Sequence, residues 1–231
     1  MIKRSITFIT LALALTTLCQ AQSRKVITLP SWDFSRDGKA WQQVAVPHDW
    51  AISGPFDKKW DLQMVAIEQN GETEKTEKSG RSGALPWIGE GMYKMNWTAP
   101  KGYKRAVLVF DGAMSQPVVS VNGKEAGKWA YGYNAFRIDI TPFIQFGKSN
   151  LIEVHLNNVE ESSRWYPGGG LYRPVSVELY GNENFSTWDT FVRTLKADKQ
   201  EAEVEVNALL EGKTGKSGKT VIALLDEAGK K

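Results

Sequence analysis

Apolar residues along this chain recur at every second position more often than at every third or fourth. Ile152, Val154 and Leu156 alternate with Glu153 and His155, and Val175, Val177 and Leu179 alternate with Ser176 and Glu178. A period of two puts one set of side chains on a covered face and the other toward solvent, as in a half-buried strand. Ala106-Val107-Leu108-Val109-Phe110 is apolar throughout, which fits a strand covered on both faces. Asn122-Gly123, between Val118–Val121 and residues 124–129, is the strongest hairpin signal in the chain, and Asp111-Gly112 is a second pair that favours positive φ. Only Thr141-Pro142-Phe143-Ile144 reads as a helical turn, with Thr141 as cap and Pro142 in the first position. Many short strands with regular turn signals predict an all-β sandwich.

Three stretches depart from this pattern. Residues 1–21 begin with Lys3 and Arg4, continue with an apolar run too short to span a bilayer comfortably, and end in Cys19-Gln20-Ala21. They read as a signal peptide cut before Gln22, which places the mature chain in the periplasm or outside the cell and off the membrane. A lipid anchor at Cys19 is disfavoured by bulky Leu18 before it. Residues 68–84 are polar, glycine-dotted and aperiodic, and read as a long surface loop. Residues 181–186 read as a linker, followed by three strands at 187–196, 202–210 and 220–226. Three strands do not complete a sandwich, which commonly needs about seven. The expected organisation is therefore a signal at 1–21, a complete domain at 22–182 and an incomplete one at 183–231. Residues 212–219 superficially resemble a phosphate-binding loop, but they miss its spacing and join strand to strand, so they read as a hairpin loop.

Composition narrows the partners. The net charge is +3, and Lys3 and Arg4 leave with the signal, so the remainder is nearly neutral. No basic run is interleaved with aromatics, which argues against nucleic acid. The single cysteine also lies in the signal, so no disulfide or thiol chemistry is expected. Nine tryptophans suit either carbohydrate binding or the core of a large β domain.

The motif of highest information is Arg164-Trp165-Tyr166-Pro167-Gly168-Gly169-Gly170-Leu171-Tyr172-Arg173-Pro174-Val175. Three glycines in a row let the backbone turn where side chains would clash. It closes an ordered series: Val46-Pro47-His48-Asp49-Trp50, Phe110-Asp111-Gly112, Val119-Ser120-Val121-Asn122-Gly123, Gly132-Tyr133-Asn134-Ala135-Phe136, Asp139-Ile140-Thr141 and Asn150-Leu151-Ile152-Glu153-Val154. In this order and spacing, roughly residues 26–182 resemble the N-terminal sugar-binding domain of glycoside hydrolase family 2, the family of many β-galactosidases. The resemblance implies a jelly-roll sandwich, then an immunoglobulin-like sandwich of which 183–231 would be the start, then a catalytic barrel carrying two glutamates. The chain would thus be a fragment of a longer enzyme acting on terminal β-linked sugars, with carbohydrate and the barrel of the same polypeptide as partners. No cofactor is implied for this part.

The candidate site residues follow from the same motif. In the resembled family the loop before the glycines reaches the barrel mouth, which points to Ser163, Arg164, Trp165 and Tyr166 as substrate-binding. Some β-galactosidases have an aspartate near Ser163; Ser163-Arg164 occupy that place here, which puts a direct carboxylate contact to the sugar in doubt. Arg164 could donate to sugar hydroxyls or order the loop through Glu160 or Glu161. Trp165 and Tyr166 could stack on a sugar or pack beneath the loop. His48 and Asp49 offer a loop-fixing hydrogen-bond network or a pocket role. Arg173 reads as a structural salt-bridge partner, and Trp87 as a residue at a domain rim. Glu160 and Glu161 are adjacent, so on a strand they would point to opposite faces and make no acid–nucleophile pair. No catalytic centre and no metal-ligand spacing is read in this chain. The rival readings are a stand-alone carbohydrate-binding module and a structural cell-surface sandwich.

Overall fold

The computed structural model describes residues 24–57, 60, 63–66, 75–78, 87–158, 168–212 and 221–230. In chain order the strands are β1 (Lys25–Thr28), β2 (Ser31–Ser35), β3 (Gln42–Ala45), β4 (Gln63–Ala66), β5 (Lys75–Lys78), β6 (Glu90–Thr98), β7 (Arg105–Phe110), β8 (Val118–Val121), β9 (Lys124–Lys128), β10 (Phe136–Asp139), β11 (Ser149–Asn157), β12 (Val175–Tyr180), β13 (Glu183–Ala197) and β14 (Ala202–Gly212). The chain divides into two units, at Gly181 and Asn182.

The first unit is an all-β sandwich of the jelly-roll type. A four-stranded sheet, β1-β12-β7-β10, faces a six-stranded one, β3-β2-β6-β11-β8-β9, and every described pairing is antiparallel. One buried cluster draws on both sheets: Leu108, Phe110, Val175 and Val177 from the smaller, Trp32, Phe34, Val119, Ile152, Val154 and Leu156 from the larger. The alternation in β11 therefore points Ile152, Val154 and Leu156 inward along a nine-residue ladder with β6.

β7 is covered on both faces, as its unbroken apolar run requires. Ala106, Leu108 and Phe110 enter the core, while Val107, Val109 and Tyr180 form a small cluster on the outer face. Charged side chains close that cluster. Arg105 lies 5.5 Å over the Tyr180 ring, and buried Glu178 accepts from Arg24, Arg137 and the Tyr180 hydroxyl. Burial works against the Glu178 charge, but the donors Arg137, Tyr180 and Arg24 outweigh it and hold the carboxyl at about 2.

Local signals and outcome differ at several points. Asn122 (φ 51) and Gly123 (φ 76) form the left-handed pair of the β8–β9 hairpin. Gly112 has no positive φ; it is required because a Cβ would meet the Tyr172 hydroxyl at 2.8 Å and Arg173 Cδ at 3.0 Å. The turn after β10 is capped by Asp139, whose Oδ1 accepts from Thr141 N at 2.9 Å. Thr141 Oγ1 is instead engaged with Ala106 N at 2.9 Å, bracing the start of β7. A 3₁₀ helix at Trp50–Ser53 has no counterpart in the sequence reading. Within the expected loop 68–84, Lys75–Lys78 is a strand paired with Gln63–Ala66; the rest of that loop lies outside the described residues.

The second unit is an antiparallel ladder of β13 and β14 with two register irregularities. β13 starts inside the stretch read as a linker, and of the third strand read at 220–226 the described residues 221–226 form none. Phe185, Trp188, Phe191, Val204, Leu209 and Leu210 are exposed on it. The glycine-rich loop 213–219 lies outside the described residues.

Candidate functional site

Two distant motifs meet at one end of the first unit. His48 N donates to Leu171 O at 2.8 Å and Trp50 N to Gly169 O at 2.9 Å. On the other side, Gly170 and Met114 exchange N–H···O bonds of 2.9 Å in both directions. Residues 48–50, 169–171 and 114 thus form a short three-stranded patch. Asp49 fastens it. Its Oδ1 accepts from Ala51 N at 2.8 Å, capping the 3₁₀ helix, and from Gly169 N at 3.0 Å.

Each glycine of the triplet has its own reason. Gly168 adopts φ 67, a left-handed backbone, beside the Asp49 carboxylate. A Cβ at Gly169 would fall inside the Trp50 indole, and one at Gly170 would meet His48 O and the Tyr93 hydroxyl at 2.5 Å. Trp50 is wholly buried, and Gly91 leaves room for the far edge of its ring. Among the described residues its Nε1 has no hydrogen-bond partner.

Beneath the patch lies an aromatic cluster. Phe34 packs against His48, Tyr93 and Trp50 with centroid distances of 4.9, 4.8 and 5.6 Å. Trp87 is half-buried against Trp50 at 5.5 Å, and Arg36 lies 4.9 Å over its ring. His48 Nδ1 is 2.6 Å from the Tyr93 hydroxyl. Burial pushes the His48 pKa below its ordinary value, with Asp49 opposing and Arg36 assisting. Burial likewise pushes Tyr93 up, against the Leu171 N–H directed at its oxygen. A neutral imidazole accepting from a phenol that accepts from Leu171 N uses each of these hydrogens. Next to the cluster, Arg36, Trp41, Gln42 and Ser53 line a groove of about 660 Å³, and the Arg36 guanidinium donates to Gly54 O.

His48 and Asp49 are thus brought together with the glycine triplet, through backbone-directed bonds. The salt bridge expected of Arg173 is not seen among the described residues, and Glu160 and Glu161 lie outside them. Arg173 is exposed, touches Asp111 O at 3.4 Å and lies 5.4 Å over the Tyr172 ring, with no carboxylate partner among the described residues. Ser163, Arg164, Trp165 and Tyr166, with Glu160 and Glu161, lie outside the described residues. The described residues include no group of three or more His, Cys, Asp or Glu side chains placed to hold a metal. Tyr93, Phe34 and Arg36 were missed by sequence reasoning. The available signal was the alternation of Gly91, Tyr93 and Trp97 along β6, in which a glycine occupies an inward position and marks the space for Trp50.

No protein-family model matches the chain. It is 30% identical over 195 residues to Beta-galactosidase BoGH2A of Bacteroides ovatus, covering 82% of this chain and 21% of that protein. It is 29% identical over 173 residues to a beta-glucuronidase of Bacteroides fragilis, covering 68% and 21% respectively. The crystal structure of a glycosyl hydrolase family 2 member from Bacteroides cellulosilyticus superposes with a TM-score of 0.65 at 30% identity, covering 80% of this chain and 24% of that one. The chain spans about a fifth of the length of these curated relatives.

Proposed function

We propose, for a chain that belongs to glycoside hydrolase family 2 over 80% of its length, that it forms the N-terminal, non-catalytic part of an exported enzyme hydrolysing terminal β-linked sugars. The observation that carries this reading is the lock between residues 48–50 and the glycine triplet. It is a glycine-specified anchor that begins at Gly168, directly after residues 163–167 in sequence. On this reading Arg164 donates to sugar hydroxyls, Trp165 and Tyr166 offer rings for a sugar face, and Ser163 stands at the pocket edge. His48, Asp49 and Arg173 support that loop. The catalytic acid and nucleophile come from a barrel of the same polypeptide, two carboxyl groups about 5–5.5 Å apart if the reaction retains configuration. This part braces the barrel, and β13–β14 open an immunoglobulin-like sandwich whose further strands cover the apolar face at Val192, Val204 and Leu210. Residues 1–21 direct export and are removed before Gln22.

The test is hydrolysis of nitrophenyl β-galactoside, β-glucuronide and β-mannoside by the complete reading frame and by this chain alone. The complete polypeptide is expected to cleave at least one, and the chain none. Turnover by the chain alone, or sugar binding without cleavage by the complete polypeptide, would contradict the proposal; the second result would make it a binding module.

A further inference from the structure

The segment from Trp129 to Tyr133 carries three large aromatic side chains that the fold leaves in solvent: Trp129 is 40% exposed, Tyr131 57% and Tyr133 38%. Trp129 is nevertheless held firmly. Its indole lies parallel to Phe136 at 5.6 Å and 7°, and Phe136 stacks in turn on Phe110 at 4.6 Å. Its Nε1 donates to Asn134 Oδ1 at 2.9 Å. One face and the polar edge of the ring are thus committed. Tyr131 rests against Tyr133 at 5.5 Å. The segment is pinned to the sandwich as well: Tyr172 donates to Gly132 O at 2.8 Å, and Trp129 N to Pro117 O at 3.0 Å.

Trp129, Ala130 and Tyr131 line a hollow of about 510 Å³ together with Gln116, Val118 and Lys128. Gln116 has φ 47, a left-handed backbone that residues with a Cβ adopt at a cost in strain. Strain of this kind persists where the surroundings impose it, often where it aims a group into a site. Gln116 and the Trp129–Tyr131 segment, at the two ends of the β8–β9 hairpin, thus line the same hollow.

We propose that this hollow binds a neutral pyranose ring of a β-linked oligosaccharide. A pyranose has an apolar C–H face and a rim of hydroxyls. The face matches the electron-rich faces of Trp129 and Tyr131, and the rim matches the Gln116 amide and the Lys128 ammonium. The volume lies within the range of about 300–1,000 Å³ common for small-molecule sites. A preordered ring loses little conformational freedom on binding, which favours a weakly held ligand such as a sugar. The polar groups of the lining are Gln116 and Lys128, set beside the rings of Trp129 and Tyr131. Only the ligand class rests on the carbohydrate reading above.

The test is a titration of the full chain, isotopically labelled, with β-1,4-linked galactobiose to millimolar concentration, read at the tryptophan indole N–H signals. The Trp129 signal is assigned by its loss in Trp129→Phe. It is expected to shift on titration, and Trp129→Ala and Tyr131→Ala are each expected to weaken binding at least tenfold. Tyr131, with its exposed ring, decides the matter if Trp129→Ala fails to fold, and Tyr131→Ala is expected to melt with the parent. An unmoved Trp129 signal, shifts at other tryptophans alone, or unchanged affinity in Tyr131→Ala would overturn the inference. Hydrolysis by the complete polypeptide is scored separately. Hydrolysis without binding at the hollow overturns only this inference, and binding without hydrolysis overturns only the enzyme reading.

Discussion

The Asp49 carboxylate accepts a hydrogen bond from the Gly169 backbone at 3.0 Å, across 120 residues of sequence. The same oxygen caps the 3₁₀ helix at Ala51 N. Replacing Asp49 by alanine removes both bonds and is expected to destabilise the chain by about 2 kcal/mol, the sum of a lost cap and a lost charge-assisted bond. Asp49→Asn keeps an accepting oxygen and should cost less than about 1 kcal/mol. Denaturant unfolding of the two variants checks this; equal losses would show that the oxygen's bonds are not what matters.

Two glycines should respond differently to alanine. At Gly169 the new methyl enters the Trp50 indole, and overpacking of that kind costs about 3 kcal/mol. At Gly123 nothing lies within 4 Å, so only the left-handed φ of 76 is penalised, by about 1 kcal/mol. Melting temperatures of Gly169→Ala and Gly123→Ala should differ by several degrees; similar values would mean that Trp50 yields to the methyl.

Those strands whose residues alternate or form unbroken apolar runs were legible in the sequence, because period and burial are local properties: β7, β11, β12 and the Asn122-Gly123 hairpin. The 3₁₀ helix was not, because its four residues show no period and the N–H of Trp50, where it begins, is bonded to distant Gly169 O. β5, Lys-Thr-Glu-Lys, has no apolar period to betray it. Residues 221–226 carried an apolar run without becoming a strand, since a strand also needs a paired neighbour. In the site, His48 and Asp49 stood beside a motif and could be named, whereas Tyr93 was concealed within an ordinary alternating strand. The separate reasons for Gly169 and Gly170 are long-range contacts with Trp50 and Tyr93, which no local pattern encodes.

Glu178 sets an acid limit on stability. Its folded pKa, about 2, lies below the ordinary 4.5, so the unfolded chain binds its proton first as pH falls. The stabilisation is full above about pH 4.5 and is lost as pH drops toward 2, up to roughly 3 kcal/mol in all. Glu178→Gln should be less stable than the parent at pH 7, because Arg24 and Arg137 lose the carboxylate that lies between them. It should also lose less further stability between pH 5 and pH 3. Parallel acid limbs in the two proteins would show that Glu178 is not the group responsible.

His48 has the same sign for a different reason. Burial lowers its folded pKa below the ordinary 6.5, so stability declines as pH falls through that value and the unfolded chain takes up a proton that the folded chain refuses. Its imidazole resonances should titrate with a midpoint below 6.5. In Tyr93→Phe, His48 Nδ1 and Leu171 N lose their shared partner, a loss of about 1–3 kcal/mol. A His48 midpoint above 6.5 would show a charged ring and contradict the hydrogen-bond arrangement drawn for this pair.

The central claim is that the segment anchored by the glycine triplet serves a sugar, and Arg164→Ala in the complete polypeptide tests it most directly. A charge-assisted contact to substrate is worth roughly 1.5–3 kcal/mol, so kcat/KM on the preferred nitrophenyl glycoside should fall about ten- to a hundred-fold while the melting temperature stays within a degree or so of the parent. A melting temperature lowered by several degrees, with kcat/KM at low temperature within about twofold of the parent, would make Arg164 part of the scaffold and contradict the claim.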